Sequence, residues 1–197
     1  MSIEEMIKAG IAYRPRKFIT EAILRSVLIQ ESGDLKSTFL TTDPQYRKNM
    51  YVAIKALGKP EAEILKLVTR SDGKIAKFRF EPDTYTSPKW RNVNPIDRFY
   101  LSCSWGLPQV MGYNLMGGSL KNVASTCLAF AANEPYSIAY CAGSMEAGMV
   151  RAFNSPAVLK KDLKSLAYHG YSCYNSHSVI PKTPDVAKRA QEVVSRL

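Results

Sequence analysis

A helix that carries a carboxylate on its buried face constrains this chain more than any other feature. Phe18 to Glu31 has the apolar spacing of an amphipathic helix. Leu24 and Leu28 precede Glu31 by seven and three residues, so the three share nearly one line along the helix surface. Ile19, Ile23 and Val27 form the neighbouring apolar row. Glu31 therefore continues the face that points into the protein. Gly33, after Ser32, suits the position just past a helix end. A carboxyl at the edge of an apolar face is partly desolvated, and desolvation favours the neutral acid. That is the environment a general acid needs near neutral pH. The same spacing also fits a surface Glu in the last turn that happens to align with the core row.

The other elements follow from breakers and caps. Ser2 to Ala12 reads as a first helix, ended by Pro15. Leu35 to Pro44 is polar and reads as loop. Helices are expected over Gln45–Leu57 and Glu61–Thr69, each opened by a proline. From Lys74 to Pro82 the residues alternate, with Ile75, Lys77 and Arg79 on one side and Ala76, Phe78 and Phe80 on the other, as in a strand with one buried face. Asp83 to Asp97, broken by prolines, is expected to be irregular. Pro108 fits the first turn of a helix beginning near Leu107, with Ser104-Trp105-Gly106 as the loop before it. Further helices are expected over Ser119–Ala132, Glu134–Phe153, Ala157–Tyr168 and Val186–Leu197, with a loop over Gly170–Ser178. One strand among about eight helices gives a mainly α domain of the α+β kind, a helical bundle around the Glu31 helix with a small strand or hairpin.

Composition narrows the function classes. The 197 residues allow one domain, or one domain with a sizeable insertion, and 46% apolar residues are enough for a real core. No run reaches the length of a membrane span. Met1-Ser2-Ile3-Glu4-Glu5 lacks a charged-then-apolar signal pattern, so synthesis in the cytoplasm without a cleaved leader is expected. The net charge of +10 attracts anionic polymers such as nucleic acid, anionic lipid headgroups or an acidic cell wall. The basic residues are scattered (Arg14, Arg16, Lys17; Lys74, Lys77, Arg79; Lys160, Lys161, Lys164; Lys182, Lys188, Arg189), so no dedicated nucleic-acid tract is expected. Cys103, Cys127, Cys141 and Cys173 show no Cys-x-x-Cys spacing, and with only His169 and His177 available they read as buried free thiols rather than metal ligands. No metal or cofactor is expected.

Four motifs stand in chain order: Glu31-Ser32-Gly33, Phe80-Glu81-Pro82, the eleven residues from Ser104 to Asn114 (SWGLPQVMGYN), and Tyr174-Asn175 ahead of a closing helix after Thr183-Pro184-Asp185. This set resembles the lysozyme-like superfamily of peptidoglycan-cleaving enzymes. The soluble lytic transglycosylases carry a Glu-Ser pair, a Gly-Leu-Met-Gln segment and a Tyr-Asn segment in that order. The phage-type N-acetylmuramidase domains carry a Phe-Glu-Pro-like segment before Ser-Trp-Gly-x-x-Gln-Ile-Met-Gly-x-Asn. The likeness covers roughly residues 18 to 197. Glu31 and Gly106 are farther apart than in the transglycosylases, so Leu35 to Asn94 looks like an insertion within a single domain over residues 1–197. Pro108 replaces the usual Met or Phe, and Asp83 stands where the muramidase domains tend to have His.

The resemblance implies cleavage of the β-1,4 bond between N-acetylmuramic acid and N-acetylglucosamine, with Glu31 as general acid. Glu81 is the best candidate for the second carboxylate, and equally a solvated partner of Arg79; Asp34 is a weaker one. A second carboxylate gives hydrolysis. Without one, Glu31 turns base and the muramyl 6-hydroxyl closes a 1,6-anhydro ring. Ser104, Gly106 and Gln109 would line the sugar cleft, Trp105 would form a sugar platform, and Tyr174 would meet the substrate or Glu31. Ser32, Tyr113, Asn114 and Asn175 join them as substrate-binding residues. The implied partners are peptidoglycan strands, anionic outer-membrane lipid, or phage tail and virion proteins. The implied setting is a phage endolysin or virion-associated enzyme, reaching the periplasmic wall through lysis or injection. A non-catalytic virion component with a lysozyme fold is the rival from another class.

Overall fold

The computed structural model describes residues 1–13 and 17–197. Pro15, expected to end the first helix, and the basic Arg14 and Arg16 lie outside the described residues. Of the described residues, 61% are helix and 7% strand, which makes the chain mainly helical. It divides into two compact units, one formed by Met1–Leu35 with Pro135–Leu197, the other by Lys36–Glu134. Among the described residues, no helix is long and apolar enough to cross a membrane.

The first unit contains α1 (Ile3–Ala12) and α2 (Glu21–Ser32), followed later in the chain by α8 (Glu134–Asn154), α9 (Leu163–Ser176) and α10 (Pro184–Ser195). Ser2 and Glu5 close a capping box that starts α1. Helix α2 starts at Glu21 rather than Phe18. Thr20 supplies its N-cap, and the N–H groups of Lys17, Phe18 and Ile19 are taken by the buried Glu146 carboxylate on α8. Ile23, Leu24, Val27 and Leu28 are fully buried, as their spacing predicts. Ser26 donates to the Val193 carbonyl at 2.7 Å and Gln30 to Glu192 at 2.9 Å, which ties α2 to α10.

Helix α9 departs from expectation. Its cap is Asp162, which accepts from the Ser165 N–H, and residues 157–162 are not helical. Lys161 instead donates to the Ala152 and Ser155 carbonyls at the end of α8. The helix then continues through Gly170 to Ser176, where a loop was expected. Gly170 is a contact, not a breaker. A Cβ there would lie 2.5 Å from Met149 Cγ, and one on Gly148 would lie 2.6 Å from the Gly170 carbonyl oxygen. The two glycines let α8 and α9 touch backbone to backbone.

The second unit runs β1 (Thr38–Phe39), α3 (Pro44–Leu57), α4 (Glu61–Val68), β2 (Ile75–Ala76), β3 (Phe78–Phe80), α5 (Pro82–Tyr85), a 3-10 turn Pro88–Trp90, α6 (Pro95–Leu101), β4 (Cys103–Trp105), β5 (Val110–Met111), a 3-10 turn Gly112–Leu115 and α7 (Val123–Ala132). Strands β1 and β2 pair antiparallel, with Thr38 opposite Ala76. Strands β3, β4 and β5 form an antiparallel sheet in that order, with Phe78 opposite Trp105 and Ser104 opposite Met111.

The 35–44 stretch contains β1 rather than loop alone. The single strand is split at Lys77, whose N–H donates to the carbonyl of Ser37, just before β1, while its own carbonyl accepts from the N–H of Gly106, just after β4. Ala76, Phe78 and Phe80 face the core as the alternation predicts, although Lys77 is buried too. Asp83–Asp97 holds α5, a 3-10 turn and the start of α6 rather than irregular chain. Pro108 opens no helix. It sits in the turn of the β4–β5 hairpin, where Gly106 (φ 70°) and Gln109 (φ 50°) are left-handed. Helix α7 also starts later than Ser119, after a left-handed Asn122. The four cysteines are free and buried.

Candidate active site

In the first unit, Glu31 lies in the last turn of α2, and its side chain is only 3% exposed. Its Oε1 accepts from the Tyr171 hydroxyl at 2.6 Å and from Arg189 Nη2 at 3.0 Å. Its Oε2 accepts from the same nitrogen at 2.9 Å. Arg189 comes from α10 and Tyr171 from α9, and the guanidinium lies 5.9 Å from the centre of the Tyr171 ring. Burial opposes the charge on Arg189, but Glu31, Tyr171 and Asp185 outweigh it and hold its pKa above the usual value. Every hydrogen bond described at Glu31 therefore arrives from a donor, the arrangement of an anchored carboxylate.

Tyr174 lies one turn after Tyr171 on α9, with the two rings 6.2 Å apart. Burial, then the Cys141 thiol and the Glu31 carboxylate, push its hydroxyl well above the ordinary phenol range. Cys141, hydrogen-bonded to Tyr174, is itself pushed up to about 12 by burial. Ser32 donates to the Leu28 carbonyl at 2.7 Å and accepts from the Leu35 N–H at 3.1 Å, so it turns the chain out of α2. Gly33 takes φ 83° at the helix end, as expected. Asn175 is half-buried on α9, and Asp34 is exposed.

Sequence reasoning named Glu31 and Tyr174 but missed Tyr171 and Arg189. Both carry a signal in hindsight. Read as helix, residues 163–176 put Tyr171 and Tyr174 on one face. Arg189 stands three residues after Val186 and four before Val193, both buried, and so flanks the apolar row of α10.

The second unit holds the other predicted residues. Glu81 precedes α5 and accepts from Arg79 Nε at 2.7 Å, an ion pair with side chains 37% and 41% exposed. Ser104 is fully buried. Its hydroxyl donates to Gln109 Oε1 at 3.0 Å, and Gln109 Nε2 donates to the Gly106 carbonyl at 2.7 Å. These three residues are brought together, but as the internal clasp of a hairpin turn. The expectation that Ser104 lines a sugar cleft is corrected, since its hydroxyl has no exposed surface. Trp105 is corrected as well. Its ring is fully buried between Tyr100, stacked at 5.5 Å, and Phe78 at 6.2 Å, and its Nε1 donates to the Tyr100 carbonyl. A ring with no exposed face offers no platform. Tyr113 and Asn114 lie on the Gly112–Leu115 turn, the first half-buried and the second exposed.

Among the described residues, no group of three or more His, Cys, Asp or Glu is placed to hold a metal ion. Comparison with family models, with curated proteins and with solved structures found no match to this chain.

Proposed function

We propose that this chain is a peptidoglycan glycosidase of the lysozyme-like type, cleaving the β-1,4 bond between N-acetylmuramic acid and N-acetylglucosamine with Glu31 as the proton donor. The observation that carries the reading is the desolvated Glu31 carboxylate at the end of α2, held by Tyr171 and flanked by Tyr174. It stands first in the ordered motif set that ends with Tyr174-Asn175. Protonating a glycosidic oxygen needs a carboxyl oxygen that is free to donate. Arg189 Nη2 engages both oxygens of Glu31. The cycle therefore requires Arg189 to leave Glu31 when glycan enters, with the Tyr171 hydroxyl keeping the carboxyl in place. In the hydrolytic route a second carboxylate holds the water or attacks the sugar. In the alternative route no second carboxylate is needed, and Glu31 takes the proton of the muramyl 6-hydroxyl as the anhydro ring closes. The basic surface draws the protein to an anionic wall or outer-membrane lipid, in the setting of phage lysis or a virion.

The Glu31–Arg189 pair also favours a second reading, a non-catalytic glycan-binding or structural virion component in which the carboxylate is a permanent internal anchor. Purified peptidoglycan separates the two. Wild type is expected to release muropeptides, with reducing ends for the hydrolase and 1,6-anhydro ends for the transglycosylase. Glu31→Gln, folded by circular dichroism, is expected to lose at least about a hundredfold in rate. Full activity in Glu31→Gln removes the proposal, and no release by wild type leaves the non-catalytic reading.

A further inference from the structure

The buried Trp105 leaves the second unit without the sugar platform its motif implied, yet another aromatic pair sits at the surface of that unit. Trp90, at the end of the Pro88–Trp90 turn, and Tyr113, on the Gly112–Leu115 turn, stack with centroids 6.2 Å apart and planes inclined by 27°. Both residues are half-buried, neither sealed as Trp105 is. Lys89 is exposed, with its Nζ 4.5 Å from the Trp90 ring centre and 5.6 Å from that of Tyr113. Asn114, next to Tyr113, is exposed too. Two nearly parallel aromatic rings from different turns, an ammonium lying over both and an amide beside them form a cluster that mixes stacking with hydrogen bonding.

We propose that Trp90 and Tyr113 form the stacking platform for an N-acetylhexosamine ring of a β-1,4-linked glycan, with Lys89 and Asn114 meeting its hydroxyl and N-acetyl groups. The choice of ligand rests on the glycosidase reading; the geometry of the cluster does not. A pyranose presents a face of C–H bonds whose partial positive charge meets the negative face of an aromatic ring. Lys89 contributes little by staying over the rings, because an exposed cation–π contact is weak. It is free to swing aside and donate to a sugar oxygen. Asn114 offers both a donor and an acceptor, which is what an N-acetyl amide needs. The platform thus moves from Trp105, where the motif put it, to Trp90, which no motif contains.

Tryptophan emission of the full chain tests this directly, because Trp90 and Trp105 are the only tryptophans and Trp105 is fully buried. Titration with the β-1,4-linked tetramer of N-acetylglucosamine is expected to change the emission saturably. Tyr113→Ala should weaken binding about tenfold, and Trp90→Ala, followed by calorimetry, should weaken it at least as much, while Trp90→Phe keeps most of it. The proposal is overturned by a wild type with no saturable change or by unaltered affinity in Tyr113→Ala and Trp90→Ala. It is equally overturned if oligo-thymidine binds more tightly and with steep salt dependence, which assigns the pair to nucleic-acid bases. Muropeptide release is measured alongside. Release without any Trp90 response sinks the platform and leaves the glycosidase standing. A Trp90 response without release sinks the glycosidase and leaves the platform.

Discussion

One nitrogen of Arg189 reaches both oxygens of Glu31, and their side chains are 17% and 3% exposed. Removing one member of such a pair leaves the other charge with poor solvation and no partner, typically costing roughly 3–5 kcal/mol. Arg189→Met and Glu31→Gln are each expected to lower unfolding stability in urea by about 2–4 kcal/mol, somewhat below that range because the Arg189 side chain is 17% exposed. The double variant should lose clearly less than the sum, because the second change removes the charge the first one stranded. Additive losses would show that the two side chains do not stabilise one another. The partial legibility of this site has a plain cause. The position of Glu31 follows from local helical spacing, whereas Tyr171 and Arg189 lie 140 and 158 residues further along the chain. No local pattern encodes a hydrogen bond across that separation.

At the level of elements, the contact between α8 and α9 depends on having no side chain at two positions. A Cβ on Gly148 would come within 2.6 Å of the Gly170 carbonyl oxygen and 3.1 Å of Cys173 Cβ. The oxygen is backbone and cannot rotate away, so the helices must separate. Gly148→Ala is expected to destabilise by about 1–3 kcal/mol despite its better helix propensity, as overpacking does. A chemical denaturation curve reads this, and a stabilised variant would contradict the close approach. The same contact explains why residues 170–178 read as loop. Glycine is a breaker by propensity, and only a neighbouring helix turns it into an asset. Pro108 misled in the opposite direction. Proline fits a first helical turn and a tight hairpin turn alike, and the pairing of Ser104 with Met111 selects the hairpin.

For the molecule as a whole, stability should have a neutral plateau bounded by different groups on each side. Glu5, held by the Ser2 N–H, Glu63, held by Lys59, and Asp162, held by the Ser165 N–H, all have pKa values below the ordinary carboxylate range. Their contribution is present above the ordinary values of 4.5 and 3.8 and is lost as pH falls through the lowered ones. All three are exposed, so the acid-side loss is small. Burial pushes Tyr46 and Tyr100 up to about 12 from 10.0, and Cys127 and Cys141 up to about 12 from 9.0. Their contribution is complete below the ordinary values and is lost as pH rises toward 12. The melting temperature is therefore expected to stay level through neutrality, sag gently in acid and fall steeply above about pH 9, where the unfolded chain ionises its thiols and phenols first. A level melting temperature up to pH 11 would contradict the burial of these groups.

The sequence by itself determined what short-range periodicity and capping can carry. It specified a mainly helical chain, the buried face of α2 with Glu31 at its end, the Gly33 turn, and the inward Ala76, Phe78 and Phe80. Each follows from a residue's own conformational preference or from neighbours within two turns. Only the tertiary structure decided that Arg189 and Tyr171 hold Glu31, that Gly170 is a contact and not a break, and that Trp105 is sealed while Trp90 is only half-buried. Those outcomes depend on which distant elements meet, and the space between elements is set by packing rather than by the order of residues along any one of them.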